Sequence, residues 1–149
     1  ALRDNMGVIQ ICILSDYIKT PDPNPELDAK IAALREKYGD YQKLSEKEKE
    51  AYRAERWDIR ERYKKLATVK DVVDHIDHVV QVAGIDHVGI GTDFDGGGGV
   101  EGCKSVADMK NITIELLNRG YSKAEIEKIW GGNFMRVFRQ VQEMREKEL

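Results

Sequence analysis

The run Val8-Ile-Gln-Ile-Cys-Ile-Leu14 is apolar except at Gln10 and follows Gly7. An apolar run of strand length without alternation suits a β-strand buried on both faces, as in a parallel sheet. Thr20-Pro-Asp-Pro-Asn-Pro25 then gathers all 3 prolines of the chain, which predicts an extended connector with no helix. Across residues 26–66 the pattern changes period. Leu27, Ile31, Leu34 and Tyr38 recur at helical spacing, and Gly39 reads as a stop. Ser45-Glu-Lys-Glu48 has the form of a capping box opening a second helix, on which Tyr52, Ile59, Tyr63 and Leu66 form one narrow stripe. The prediction is a helical hairpin that buries one side.

A third helix is the clearest element. Behind the capping box Thr68-Val-Lys-Asp71, the residues Val69, Val72, Val73, Ile76, Val79, Val80 and Ala83 fall on one face, and Gly84 closes the element. Val88-Gly-Ile-Gly-Thr92 reads as a second strand. Ser105-Val-Ala-Asp108 opens a helix with Met109, Ile112, Leu116 and Leu117 inward, ending at Gly120. Ser122-Lys-Ala-Glu125 opens a short one with Ile126, Ile129 and Trp130, which Gly131-Gly132 is expected to break. A last helix carries Phe134, Val137, Phe138 and Val141.

Strand, crossover helix and strand make a right-handed βαβ unit. Two parallel strands cannot bury both of their faces, so the pattern predicts further strands, from additional sequence or a second copy of the chain. The opening Ala-Leu-Arg-Asp-Asn-Met-Gly7 has no initiator Met and reads as the last turn of a helix, so the chain is expected to be a fragment of something longer.

With 149 residues, the chain suits one domain. Composition narrows its partners. The net charge of −3 gives no general drive toward nucleic acid or an anionic membrane. No apolar run reaches the ~20 residues of a membrane helix, and the first 15 residues lack a signal-peptide signature. Cys12 and Cys103 fit neither a CxxC site nor a disulfide framework. Nothing here fixes a compartment.

The chemistry concentrates after the second strand, in Gly91-Thr-Asp-Phe-Asp-Gly-Gly-Gly-Gly99. In parallel α/β sheets the carboxyl ends of strands carry the site, because there a rigid strand delivers a side chain to a loop-lined cleft. Asp93 stands at that position, Asp95 is a second acid in the same loop, and Gly96 begins a run that turns sharply and keeps bulk away from the acid. The alternative reading is a carboxylate that merely caps a turn. A calcium loop is excluded, since its fifth and twelfth positions would be Gly97 and Lys104. No P-loop or dinucleotide fingerprint is present. His75 and His78 are three apart but lie outside the apolar face of their helix, and Asp71 and Asp74 stand four residues before them, an arrangement that suits surface pairing rather than metal binding. His87 falls at the wrong end of its strand for catalysis. The Lys/Glu-rich hairpin reads as a solvated face, or as an arm for a partner given Tyr38, Tyr41, Tyr52, Trp57 and Tyr63.

Three ordered motifs now combine: Asp-His-Ile-Asp-His-Val-Val at 74–80, Gly-Ile-Asp-His-Val-Gly-Ile-Gly-Thr-Asp-Phe-Asp-Gly at 84–96, and Gly-Gly-Asn-Phe-Met-Arg-Val-Phe at 131–138. Together they resemble the carboxyl-terminal part of the membrane (renal) dipeptidase family, and the opening residues resemble its seventh barrel strand. The hairpin 26–66 looks like an enlargement of one loop. The resemblance implies an α/β fold, mostly helical by residue count: the last two βα units of a (β/α)8 TIM-type barrel with a helical hairpin insertion, residues 1–149 being part of one barrel domain. It implies a zinc-dependent dipeptidase acting on dipeptide substrates. Asp93 matches the catalytic acid that handles the proton moving to the leaving amine, with Asp95 and Gly96 in support and Asn133 and Arg136 tying the last helix to the barrel. The family's zinc ligands are expected upstream of Ala1 and none in this fragment, which is therefore expected to be inactive alone. Such a barrel takes about 250 residues, so self-association, or association with the missing barrel half, is expected. The alternatives are a helical interaction module and another metal-dependent amidohydrolase of the same barrel fold.

Overall fold

The computed structural model describes residues 1–148, with side chains through Arg145. The chain divides into two compact units, one made of Ala1–Thr20 and the chain from Leu66 onward, the other of Pro21–Lys65.

The first unit is mostly helical around a two-stranded sheet. Strand β1 (Ile9–Ile11) pairs in parallel with β2 (Val88–Ile90), in the register Ile9 to Val88, Gln10 to Gly89 and Ile11 to Ile90. The crossover is α4 (Val69–Ala83), whose Val72, Val73 and Ile76 are fully buried. Its start is set by local chemistry. The Thr68 hydroxyl accepts the Asp71 N–H at 3.3 Å while Asp71 Oδ2 accepts the Thr68 N–H at 2.7 Å, a reciprocal box that satisfies two orphan donors. Gly84 ends the helix with φ +103°, a conformation open to glycine.

The strands bury one face well and the other only in part. Ile13 and Val88 are sealed in the core, whereas Ile9, at the outer end of β1, is 43% exposed. Burial on both faces was the expectation. With two strands and helices packed on one side, the opposite face retains only partly buried Gln10, Cys12 and Leu14.

Past β2 the chain returns to the sheet. Gly91 N–H donates to Ile11 O at 2.8 Å and Gly99 N–H to Ile13 O at 2.6 Å, so residues 92–98 form an excursion between two points anchored to β1 and the residues just after it. Glu101 N–H then donates to Ala67 O and Val69 N–H to Glu101 O, which inserts Val100 and Cys103 into the core. Ser15, in the single-turn helix α1 (Ser15–Ile18), accepts the Ala67 N–H on its Oγ at 2.8 Å. Both thiols are free.

Helix α5 (Lys110–Asn118) buries Ile112 and Leu116, but Leu117 is 54% exposed rather than inward. Helix α6 (Lys123–Glu127) does not break at Gly131-Gly132. It passes through a π-turn, Lys128–Gly132, straight into α7 (Asn133–Glu148). Glycine suits this turn: a Cβ at Gly132 would sit 3.2 Å from Glu127 O, a tight contact in the widened turn.

The second unit is the predicted hairpin. Helix α2 (Pro25–Tyr38) starts at Asn24, whose side chain accepts the Leu27 N–H, with Pro25 at the first helical position. Helix α3 (Glu46–Tyr63) starts at the Ser45–Glu48 capping box. Leu34, on α2, is the hairpin's one buried apolar residue. Tyr52 stacks edge-on to Tyr38 and tilted to Tyr41, so three of the hairpin's aromatics serve its own packing.

Candidate functional site

Because β1 and β2 run parallel, they share a carboxyl pole, and Asp93 stands there, three residues beyond Ile90. Its backbone is folded tightly. The Asp93 carbonyl accepts the Gly96 N–H at 3.1 Å and the Gly98 N–H at 2.6 Å. Its φ is +62°, in the left-handed region that side-chain-bearing residues seldom occupy. Strain of this kind persists only where neighbours over-determine it. Two such determinants are visible. A Cβ at Gly98 would lie 2.4 Å from Thr92 O, and one at Gly96 would lie 2.3 Å from Asp93 Oδ1. Gly98 thus leaves room for the Thr92 and Asp93 carbonyls, and Gly96 lies against the Asp93 carboxylate.

The third determinant was not apparent from the sequence. Phe94 is half-buried and packs on the hydrophobic core, while Asp93 and Asp95 on either side of it are exposed. Phe94 pins the loop and turns both acids outward. The Asp-Phe-Asp alternation was the available signal, overshadowed by the glycines after it. Asp95 was expected to support the loop by hydrogen bonding. Among the described residues, neither the Asp95 nor the Asp93 carboxylate has a hydrogen-bond partner, so Asp95 contributes charge beside Asp93 rather than a brace.

The opposite pole is where the last helix is fastened. Asn133, 3% exposed, donates its Nδ2 protons to Ile85 O at 2.7 Å and Val88 O at 2.9 Å. Arg136 reaches Met6 O at 2.8 Å and Asp86 O at 2.9 Å. His87 is buried there, its Nδ1 2.8 Å from Gly7 O. These groups organise the amino ends of the strands and lie at the far pole from Asp93.

The acids of α4 are engaged differently from expectation. Asp71 belongs to the Thr68 cap, whose hydroxyl and N–H hold its carboxyl below the usual range. Arg119 takes Asp74 at 2.5 Å, Asp77 at 2.6 Å and Glu115 at 2.9 Å, and also donates to Lys70 O. Burial works against the Arg119 charge, but these carboxylates outweigh it and raise its pKa. Burial and a hydrogen bond to Asp77 likewise push the Tyr121 phenol up. His75 is not paired with Asp71; its Nε2 meets Ile18 O at 2.7 Å.

The zinc implied by the motifs can be tested against these residues. Among the described residues, no three His, Cys, Asp or Glu side chains come together in a way that could hold a metal ion. His75 and His87 are committed to backbone carbonyls at separate places. The described side chains do not fit a zinc centre.

A profile of the membrane dipeptidase family (peptidase family M19) matches residues 1–149. The chain belongs to the membrane dipeptidase family. Among curated relatives, dipeptidase 3 of Rattus norvegicus is 42% identical over 85 residues, covering 56% of this chain and 17% of the relative. Dipeptidase tcpJ of Claviceps purpurea is 44% identical over 79 residues, covering 52% and 19%. A crystal structure of the probable dipeptidase PvdM from Pseudomonas aeruginosa superposes on 95% of this chain and 38% of its own, with a TM-score of 0.73 and 39% identity. The matches thus span less than a fifth of the length of these curated relatives. The likeness to PvdM extends over nearly all of this chain.

Proposed function

We propose that this chain supplies the last two βα units of a zinc-dependent dipeptidase barrel, with Asp93 as the acid that exchanges a proton with the departing amine of a dipeptide. The observation that carries this reading is the placement of Asp93: at the carboxyl end of a parallel strand, facing solvent, at φ +62° with its carbonyl bonded to the Gly96 and Gly98 N–H groups. A strained, exposed, unpartnered acid is costly in a purely structural loop and useful at a cleft. As amide cleavage proceeds, the leaving nitrogen must gain a proton, and a positioned carboxyl group can hand it over.

Zinc, when bound in the whole enzyme, would polarise the scissile carbonyl and supply hydroxide; its ligands belong to barrel strands other than these two. The half-covered face of β1 and β2 fits strands laid beside them. Helix α7 supports the same view. Phe134, Phe138 and Val141 are 49%, 47% and 60% exposed along one stripe, an unusual cost for a helix meant to stay bare. Association through these surfaces, with the remaining barrel or a second copy, is part of the proposal.

The test compares two proteins. The chain alone, given zinc and a dipeptide, is expected to release no amino acid. Joined to the barrel segment that PvdM has and this chain lacks, it is expected to hydrolyse the dipeptide, and Asp93→Asn in that protein is expected to lower kcat by about 10²–10⁴-fold. Turnover by the isolated chain, or an Asn variant of near wild-type kcat, refutes the assignment.

A further inference from the structure

Several of the hairpin's charges are matched. Lys37 meets Glu55 at 2.8 Å, Lys49 meets Glu46 at 2.8 Å, Arg62 meets Asp58 at 3.1 Å and Lys64 meets Glu61 at 2.5 Å. Arg53 reaches the Tyr41 hydroxyl and Lys30 lies over the Tyr63 ring. One place gathers three cations without such a match. Between α2 and α3 lies a groove of about 380 Å³ lined by Leu27, Asp28, Ile31, Arg35, Arg56 and Arg60. None of these three arginines has an ion-pair partner among the described residues.

Arg56 and Arg60 are four residues apart on α3, so they stand one above the other on the same helical face, where like charges repel. Arg35 approaches from α2. Asp28 is a single carboxylate against three guanidinium groups. Three exposed guanidinium groups around one carboxylate give the groove an excess of positive charge that an anion can neutralise. Guanidinium forks match the planar oxygens of carboxylates and phosphates two bonds at a time. Leu27 and Ile31 give the groove an apolar floor, and its volume falls within the range of small-molecule sites.

We infer that the hairpin groove is a binding site for a small molecule carrying two or more carboxylate or phosphate groups, held by Arg35, Arg56 and Arg60. This site stands on the hairpin alone and is independent of the chemistry at Asp93.

The experiment is calorimetric titration of the whole chain at low ionic strength, with citrate in one arm and pyrophosphate in the other, against sodium chloride of equal ionic strength. The expected result is saturable one-site binding with a Kd of about 1 mM or tighter for at least one probe. Citrate alone identifies a carboxylate site, pyrophosphate alone a phosphate site. Each of Arg35→Gln, Arg56→Gln and Arg60→Gln is expected to weaken binding by about tenfold, the loss of one charge-assisted contact. Arg139→Gln, outside the groove, leaves it unchanged. Arg35→Lys keeps the charge but loses the fork, and is expected to weaken binding as well. Trp57, next to Arg56 and 67% exposed, provides a second readout by its emission in a Trp130→Phe background. Failure of both probes to bind with a Kd of about 1 mM or tighter, or equal binding by the triple Gln variant with an unaltered circular dichroism spectrum, overturns the inference.

Discussion

Asn133→Ala is expected to destabilise the first unit by about 3 kcal/mol. Asn133 is 3% exposed and its Nδ2 group makes two hydrogen bonds, to Ile85 O and Val88 O. Each bond contributes about 1 kcal/mol net, and truncation leaves two acceptors poorly satisfied, one of them buried, at a further cost of about 1–3 kcal/mol. Water entering the space left by the amide reduces that second cost, which places the sum near the lower end. For a chain of this length each kcal/mol lowers Tm by about 2–4 °C, so the expected drop is roughly 6–12 °C. Urea denaturation followed by circular dichroism at 222 nm measures the change. Asn133→Asp is the sharper variant: it preserves shape but sets a carboxylate against two carbonyl oxygens, and must destabilise more than Ala. The reasoning fails if Ala costs less than about 1 kcal/mol, or if Asp is tolerated better than Ala.

Asp93→Gly is expected to raise stability by about 0.5–1 kcal/mol, because the φ of +62° is strained for Asp and its side chain has no partner to lose; an unchanged or lower urea midpoint contradicts this. Glu48, Asp71, Asp108 and Glu125 all accept hydrogen bonds at helix starts, which lowers their pKa values in the folded state. A depressed folded pKa stabilises above the unfolded pKa and is lost as pH falls through the folded value. Helicity should therefore decline as pH drops below about 4, and Thr68→Ala should cost about 1 kcal/mol at neutral pH and flatten part of that decline. Arg119→Met removes the common partner of Asp74, Asp77 and Glu115, and is expected to cost about 2 kcal/mol by denaturant titration; a loss within error would show the cluster to be incidental.

Local chemistry was legible in the sequence. The boxes opening at Ser45, Thr68 and Ser122 form as their spacing predicted, because a cap involves residues three apart and little else. At Ser105, Asp108 accepts the Ser105 N–H but gives its own N–H to the Ser105 carbonyl, and a short 3-10 turn precedes α5. The valine face of α4 and the parallel pairing of the strands followed from periodicity. What escaped was set by distant residues. Asp74 was claimed by Arg119, 45 positions away, and so was unavailable to His78. The helix continues through Gly131-Gly132 in a turn that brings Gly132 close to the Glu127 carbonyl, which composition does not reveal. Leu117 belongs to the helical pattern of α5 yet finds no cover. At the candidate site, the position of Asp93 was legible from strand polarity, whereas its left-handed backbone and the anchoring by Phe94 required coordinates.

The bond from Ala67 N–H to Ser15 Oγ has a consequence for how this chain can vary. It cinches together the two places where the hairpin segment departs and returns, so the strands are indifferent to what lies between them. Closing a longer excursion costs only about 0.6 kcal/mol per doubling of its length. The junction acts as a socket: different inserts can be grafted there, short or long, without disturbing the pole that carries the acid.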